Sequence, residues 1–279
     1  MENNQSKTAR VIPIVVIALW LAFYFGLGIY FYIAESVIPK KQYEEATALL
    51  AAEKYEEAYA TLASVENFKD GRMLREHIER ILVSKAEVGD VITFGKYDKK
   101  THGRTDDVRW IVLDKQDDRV LVFSDISLGT MNIGRIQGEG AIEYATRRLP
   151  YVMEDVDNYE EGSWGASLMR GYLHKTLATK IMTESQIANL VETQNPDRQT
   201  VAKDKIFLLS AEETRKYFPT ETDRRFDSAW WLRSESDEAG KFCYVNKFGK
   251  ICEGKEGKPA GENLTVRPAM WIDILSVNN

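Results

Sequence analysis

Cysteine and histidine are nearly missing from this 279-residue chain, which holds two cysteines, Cys243 and Cys252, and three histidines, His77, His102 and His174. A disulfide-stapled miniature needs a dense cysteine framework, and a zinc ribbon or thioredoxin-like centre needs a CxxC pair; neither pattern occurs. The histidines lie far apart and fit no HExxH pattern, so any His-based metal or triad site would have to be assembled from distant segments. We therefore expect no catalytic set, no metal and no cofactor. Proline is sparse, at 7 residues, and the chain is 44% hydrophobic and 29% charged, which excludes wholesale disorder. Positive charge is in deficit as well. The net charge is -6, and since Lys7 and Arg10 outweigh Glu2 before Ala34, the rest of the chain is more acidic still. A phosphate backbone requires a concentrated basic face, so nucleic acid is excluded as a leading partner.

Charge is absent altogether from Val11 to Ala34, where the chain reads VIPIVVIALWLAFYFGLGIYFYIA. About 20 apolar residues suffice to cross the hydrocarbon core as a helix. Residues 11–34 are thus expected to be a transmembrane helix in contact with membrane lipid, after a short tail at 1–10. Pro13 falls in the first turn, where a missing N–H matters little, and Tyr30 and Tyr32 suit the far interface. Signal-peptide cleavage would require small residues at the last and third-last positions of the leader; before Glu35 stand Ala34 and the bulky Tyr32, which predicts an uncleaved anchor. Lys7, Arg10 and the free amine favour an inside N-terminus, whereas Lys40 and Lys41 stand just beyond the other end. Because a short tail before a first hydrophobic segment commonly leaves the large C-terminal part outside, we expect a single-pass protein with its globular domain extracytoplasmic.

Residues 36–85 are rich in Ala, Glu, Leu and Lys, and Tyr-Glu-Glu-Ala occurs twice, at Tyr43–Ala46 and Tyr55–Ala58. Tyr55, Ala58, Tyr59 and Leu62 share one helical face, 67–71 (NFKDG) supplies a break, and 72–84 reads as a further helix. The stretch resembles part of a tetratricopeptide-type helical hairpin. A single repeat is too short for a solenoid groove, which makes it a stalk: a spacer, or a small docking surface.

Beyond this stalk, residues 86–275 change to strand-like patterning. Strands are predicted at 88–97, 109–114 and 119–124, the last two joined by the turn at 115–118. A polar, glycine-rich stretch runs to Gly162. Helices are predicted at 163–177 and 183–191, the second with a capping start at Thr183 and Gln186. A buried strand at 206–210 leads into a helix at 211–217, and strands follow at 229–233, 241–246, 250–253 and 265–272. The fold class is α+β.

The segments FGKY (94–97), WIVL (110–113), SWGASLMRGYL (163–173), DKIFLLS (204–210), WWLRS (230–234) and VRPAMWI (266–272) occur in that order. Together, over about 88–273, they resemble a bacterial domain family of unknown function with FGxY, WxVL, LRxxL, KxFLLS, WWLRS and VRPAxW signatures. The resemblance implies a C-type-lectin-like fold, in which first and last strands meet and long loops carry ligand contacts; it implies no activity. Three places depart from the pattern. The arginine of the first helix is shifted by one, to Arg170; Glu235-Ser236 replaces Pro-Gly; and the hairpin that follows is basic and contains the cysteines.

Candidate ligand-binding residues are Trp230, Trp231, Arg233 and Arg267. Packing is the commoner use of such side chains, with Arg233 paired to a buried carboxylate; the functional reading is an aromatic wall with an arginine beside it, suited to a sugar or a carboxylate. Pro268 holds Arg267 in an extended conformation. The acidic residues Asp223, Asp227, Glu235, Asp237 and Glu238 read as a solvated loop, and Gln194-Asn195-Pro196-Asp197 approaches a calcium-lectin triplet without matching it. Cys243 and Cys252 flank a predicted turn at 247–249, across which the thiols could face each other as a disulfide or a thiol pair; the other reading is two small buried hydrophobes. Formylglycine-generating enzymes, which resemble the same fold, hold copper with paired cysteines and supply an oxidase alternative. The expected function is a surface-displayed binding module for a glycan, a peptide or an envelope protein; a structural subunit of a membrane complex is a further alternative.

Overall fold

The computed structural model describes residues 5–98, 105–134, 158–160, 162–197 and 200–275. The first four residues of the tail, and most of the glycine-rich stretch expected before Gly162, lie outside the described residues. The chain divides into two compact units, Met1–Glu79 and Arg80–Asn279.

In the first unit, helix α1 spans Gln5–Tyr32, one π-helical turn spans Ile33–Val37, and α2 spans Ile38–Ala51. The helix therefore runs on past the expected end at Ala34. Pro39 explains the π turn: it brings no N–H to the i→i−4 ladder, and the preceding Ile38 N–H reaches back five residues to the Ile33 carbonyl. From Leu19 to Ile33 the large apolar side chains stand open, among them Trp20, Phe23, Phe25 and Phe31. This is one helix long and apolar enough to cross a membrane. Lipid would cover a surface that water penalises over its whole length.

The stalk holds α2, α3 (Tyr55–Leu62) and α4 (Gly71–Lys85), the last beginning at the end of the break read at 67–71. Ala46, Ala58, Leu62 and Ile78 are fully buried, so the face predicted for α3 is its packed face. The Arg75 guanidinium lies 4.0 Å from the centre of the Tyr59 ring and donates to Glu66 at 2.7 Å. At the start of α4 position 71 has room only for glycine, because a Cβ there would come within 2.6 Å of the Val65 carbonyl oxygen.

The second unit is a sheet-rich α+β domain. Strands β1 (Val91–Asp98), β2 (Thr105–Lys115) and β3 (Arg119–Ser124) form an antiparallel meander, as their alternation predicts. After β4 (Thr130–Met131) the chain turns helical: α5 (Leu168–Tyr172), a π turn at Leu173–Leu177, α6 (Ala178–Ile181) and α7 (Glu184–Ala188). The predicted capping box at Thr183 and Gln186 is formed. Strands β5 (Leu190–Val191), β6 (Thr193–Asp197), β7 (Thr200–Asp204) and β8 (Phe207–Leu208) follow. Next come α8 (Ala211–Tyr217), capped by Ser210 and Glu213, and α9 (Glu221–Arg224). The domain closes with β9 (Trp230–Glu235), β10 (Lys241–Val245), β11 (Ile251–Cys252), β12 (Lys258–Pro259), β13 (Leu264–Thr265) and β14 (Pro268–Asp273).

One sheet has the order β1-β2-β3-β14-β5 with β8 also on β14; the other has the order β11-β10-β9-β13-β4 with β12 on β10. The single strand expected at 265–272 is thus divided between the two sheets. Thr265 belongs to one, Pro268 opens the strand of the other, and Val266 and Arg267 make the crossing. Pro268 is tolerated because a first strand residue can dispense with its N–H. The first and last strands share a sheet without pairing, since β14 is flanked by β3, β5 and β8. The core between these elements includes Phe94, Trp110, Phe123, Phe207, Trp230 and Trp231, all at most 1% exposed.

Gly249 fixes the β10–β11 turn: its φ is 91°, and a Cβ would fall 1.7 Å from the Glu221 carbonyl oxygen. Gly249→Ala is expected to lower stability by about 2 kcal/mol or more, from left-handed strain plus displaced backbone. Chemical denaturation read by tryptophan fluorescence checks it; an unchanged midpoint would refute the contact.

Candidate functional site

Arg267 is placed by the crossing between the sheets. It is only 5% exposed. Its guanidinium carbon lies 4.1 Å from the centre of the Phe226 ring, 4.4 Å from that of Phe123 and 5.3 Å from that of Trp230. Its Nε donates to the Ser124 carbonyl at 3.0 Å. No carboxylate stands within ion-pair distance of it among the described residues. Asp125 is the acidic group that acts on it, and that carboxylate is engaged by Arg109 at 2.6 Å. Burial lowers Arg267 to about 10, against a smaller opposing pull from Asp125, so it keeps its charge at neutral pH.

The other sequence-predicted residues are more fully partnered. Trp230 and Trp231 lie wholly in the core, on the two faces of β9. Trp231 Nε1 donates to the Met131 carbonyl at 2.9 Å, and Trp230 Nε1 reaches the Arg224 carbonyl at 3.4 Å. Arg233 is paired with Glu213 of α8 through both terminal nitrogens, and it donates to the Leu208 carbonyl at 2.8 Å. Burial pushes the Glu213 carboxyl up, but the hydrogen bonds and charge of Arg233 outweigh it and hold the group below its ordinary value. The structure brings Trp230 next to Arg267, while Arg233 faces α8 and β8.

A further charged centre was missed. Asp204, at the end of β7, is wholly buried; its Oδ1 accepts from Arg170 Nε at 2.6 Å, and its Oδ2 accepts from Trp164 Nε1 at 3.0 Å and Asn195 Nδ2 at 2.8 Å. His174 Nε2 lies 3.3 Å from Oδ1. Arg170, also fully buried, adds bonds to the Gly165 and Lys203 carbonyls, both at 3.2 Å. Desolvation raises the Asp204 carboxyl, but His174, Arg170 and Trp164 together hold it well below the usual carboxylate range. The carboxylate is saturated by donors, which suits it to tying β7 to α5 rather than to proton transfer. Its signal in the sequence was the displaced Arg170: an arginine on a helix face of Met169, Leu173 and Leu177 must meet an acid.

Residues 117–274 match the family described as Domain of unknown function (DUF6273). The chain belongs to this family. The match opens before β3 and closes after β14, so it takes in Arg170, Asp204, Glu213, Arg233 and Arg267 and leaves out the stalk, β1 and β2. The comparisons with curated proteins and with solved structures find no match.

Within this DUF6273 domain the cysteines do not face each other. The hairpin register sets Cys252 opposite Tyr244, not opposite Cys243, so the two thiols leave opposite faces of the hairpin. Both are free and buried. Burial, reinforced by Glu253, pushes the Cys243 thiol up to about 11, and burial together with Cys252 pushes the Tyr244 hydroxyl up to about 12. Both thiols are therefore expected to resist maleimide at pH 7 in the native protein and to label stoichiometrically in denaturant; rapid native labelling of Cys243 would contradict its burial. The acidic residues also go separate ways. Asp223 caps α9, Glu235 accepts from the Trp164 N–H at 3.2 Å, and Glu238 pairs with Lys241 at 2.6 Å. Among the described residues no three of His, Cys, Asp and Glu gather as a metal site.

Proposed function

We propose that this chain is a membrane-held binding module: the apolar helix anchors it, a stalk with tetratricopeptide-like patterning spaces it from the lipid, and a C-type-lectin-like domain contacts a glycan, a peptide or an envelope protein outside the cell. Two sheets joined by irregular crossings, within a family match that spans β3 to β14, support the lectin-like reading. The observation that carries the binding reading is Arg267, a buried cation retained without a carboxylate. Desolvating a charge and leaving it uncompensated is unfavourable, and a ligand that supplied the counter-charge would relieve this. Of the other buried arginines of the domain, Arg170 and Arg233 have an acid, and Arg224 spends Nε and Nη1 on the Gly249 and Phe218 carbonyls, whereas Arg267 has a single carbonyl, on Nε.

Two measurements test it. Phe248, 60% exposed at the β10–β11 turn, offers a site for a reporter cysteine in a Cys243→Ser, Cys252→Ser background. Labelling of that Phe248→Cys reporter by an impermeant maleimide on intact cells is the expected result; labelling only after lysis would place the domain inside and end the display reading. Full-length protein in detergent should also be retained on washed cell-envelope material, and the absence of retention would count against the binding role.

A further inference from the structure

We propose that Arg267 receives a single carboxylate group of the ligand, gripped end-on by Nη1 and Nη2 beside the Phe226 ring; this rests on the binding-module reading and names its chemistry. The guanidinium has five N–H donors in a fixed fork. Nε is committed to the Ser124 carbonyl, which fixes the direction of the fork. Neither Nη1 nor Nη2 has a hydrogen bond among the described residues, yet neither is among the sealed, unsatisfied polar atoms of the domain. The two unpartnered nitrogens therefore reach solvent, although the residue as a whole is buried. Phe226, at 4.1 Å, is the half-buried ring of the three around Arg267, while Phe123 and Trp230 are wholly buried. An arginine edge presenting two parallel donors matches the two oxygens of one carboxylate.

Charge balance favours a carboxylate over a phosphate. Arg267 offers one positive charge that no carboxylate meets among the described residues. Asp125, the nearby acid that acts on Arg267, is neutralised by Arg109, so a monoanion brings the site to neutrality. A phosphate dianion would bring one negative charge more than Arg267 balances, beside Asp125. The aromatic surroundings act in the same direction, because low polarity strengthens one well-made ion pair and disfavours a surplus charge. The carboxylate could come from a peptide C-terminus or from an acidic sugar, and both present the same flat group.

The test uses full-length protein in detergent micelles, labelled with ¹⁵N-arginine, and follows the side-chain Nε–H resonance of Arg267, assigned by its loss in Arg267→Lys. Hippurate serves as the peptide-like carboxylate, glucuronate as the sugar acid, and hippuramide and inorganic phosphate as controls. A saturable shift with hippurate or glucuronate, at least about tenfold tighter than with hippuramide or phosphate, is the expected result. The tighter of the two acids names the source. Arg267→Lys keeps the charge and loses the fork, and a fluorescence-detected Kd for the tighter acid should weaken at least about tenfold in it. Phe226→Leu, at the half-buried ring, gives a second variant should Arg267→Lys fail to fold; several-fold weakening is expected there. No saturation with either acid, or equal binding of phosphate or hippuramide, overturns the assignment. Envelope retention separates the two readings. Retention that neither hippurate, glucuronate nor the Arg267 variant alters would leave the binding module standing and remove the carboxylate site. Saturable carboxylate binding without any retention would do the reverse.

Discussion

Asp204→Ala is expected to destabilise the sheet domain by about 3–5 kcal/mol, the range for breaking a buried ion pair from one side. The loss falls on several partners at once. Arg170 would remain fully buried with its Nε unpaired, Trp164 Nε1 and Asn195 Nδ2 would lose their acceptor, and β7 would lose its tie to α5. A domain whose whole stability is of order 5–15 kcal/mol would be brought close to its threshold. Urea unfolding of the full-length protein, followed by tryptophan fluorescence, measures it, and a change under about 1 kcal/mol would show that the network contributes little. The paired replacement Arg170→Met with Asp204→Leu should recover much of the loss, because no charge is then left buried alone. The pH dependence has a definite sign. The Asp204 carboxyl is depressed in the folded state, so its contribution is complete above the unfolded carboxylate range near about 4. It is lost as pH falls from there through the lower folded value. Asp204→Ala should therefore flatten the acid limb of the stability profile. A limb of unchanged steepness would mean that other carboxylates control it.

Glu213→Ala is expected to cost about 2–3 kcal/mol, less than Asp204→Ala because the Glu213 side chain is 29% exposed and water screens part of the interaction. Two functions end together. Arg233 loses the carboxylate that meets both its terminal nitrogens, and the Ser210 N–H loses the acceptor, at 2.8 Å, that closes the capping box of α8. Glu213→Gln keeps the cap and removes the charge, so its loss should be the smaller. Equal losses would assign the whole effect to the ion pair. Thermal unfolding by near-ultraviolet circular dichroism, which reads Trp230 and Trp231 on the neighbouring strand, resolves the two variants.

Both pairs show how far residue patterns reach. Strands β1, β2 and β3, helix α8, and the capped start of α7 were legible because their determinants are local. Alternation, turn residues and capping spacing lie within a few residues of each other. The hairpin of β6 and β7 was not legible, since Pro196 argues against a strand unless the strand has a free side, which a two-stranded sheet provides. The cysteines show the same limit in a finer way. The turn between them was readable, but the thiols were placed face to face, and a one-residue difference in register sends them to opposite faces.

Composition alone determined the candidate membrane helix, because an uncharged run from Val11 to Ala34 needs no tertiary partner to make water a poor solvent for it. Patterning, rather than composition, determined that residues 86–275 form an α+β domain. Which arginine is paired and which is not was decided only by the tertiary structure. Arg170 meets Asp204 across 34 residues and Arg233 meets Glu213 across 20, while Arg267, at the crossing between two sheets, meets three aromatic rings and a carbonyl. Sequence distance carries no information about such pairings. Burial makes each one decisive, since a charge removed from water must find its partner wherever the fold places one.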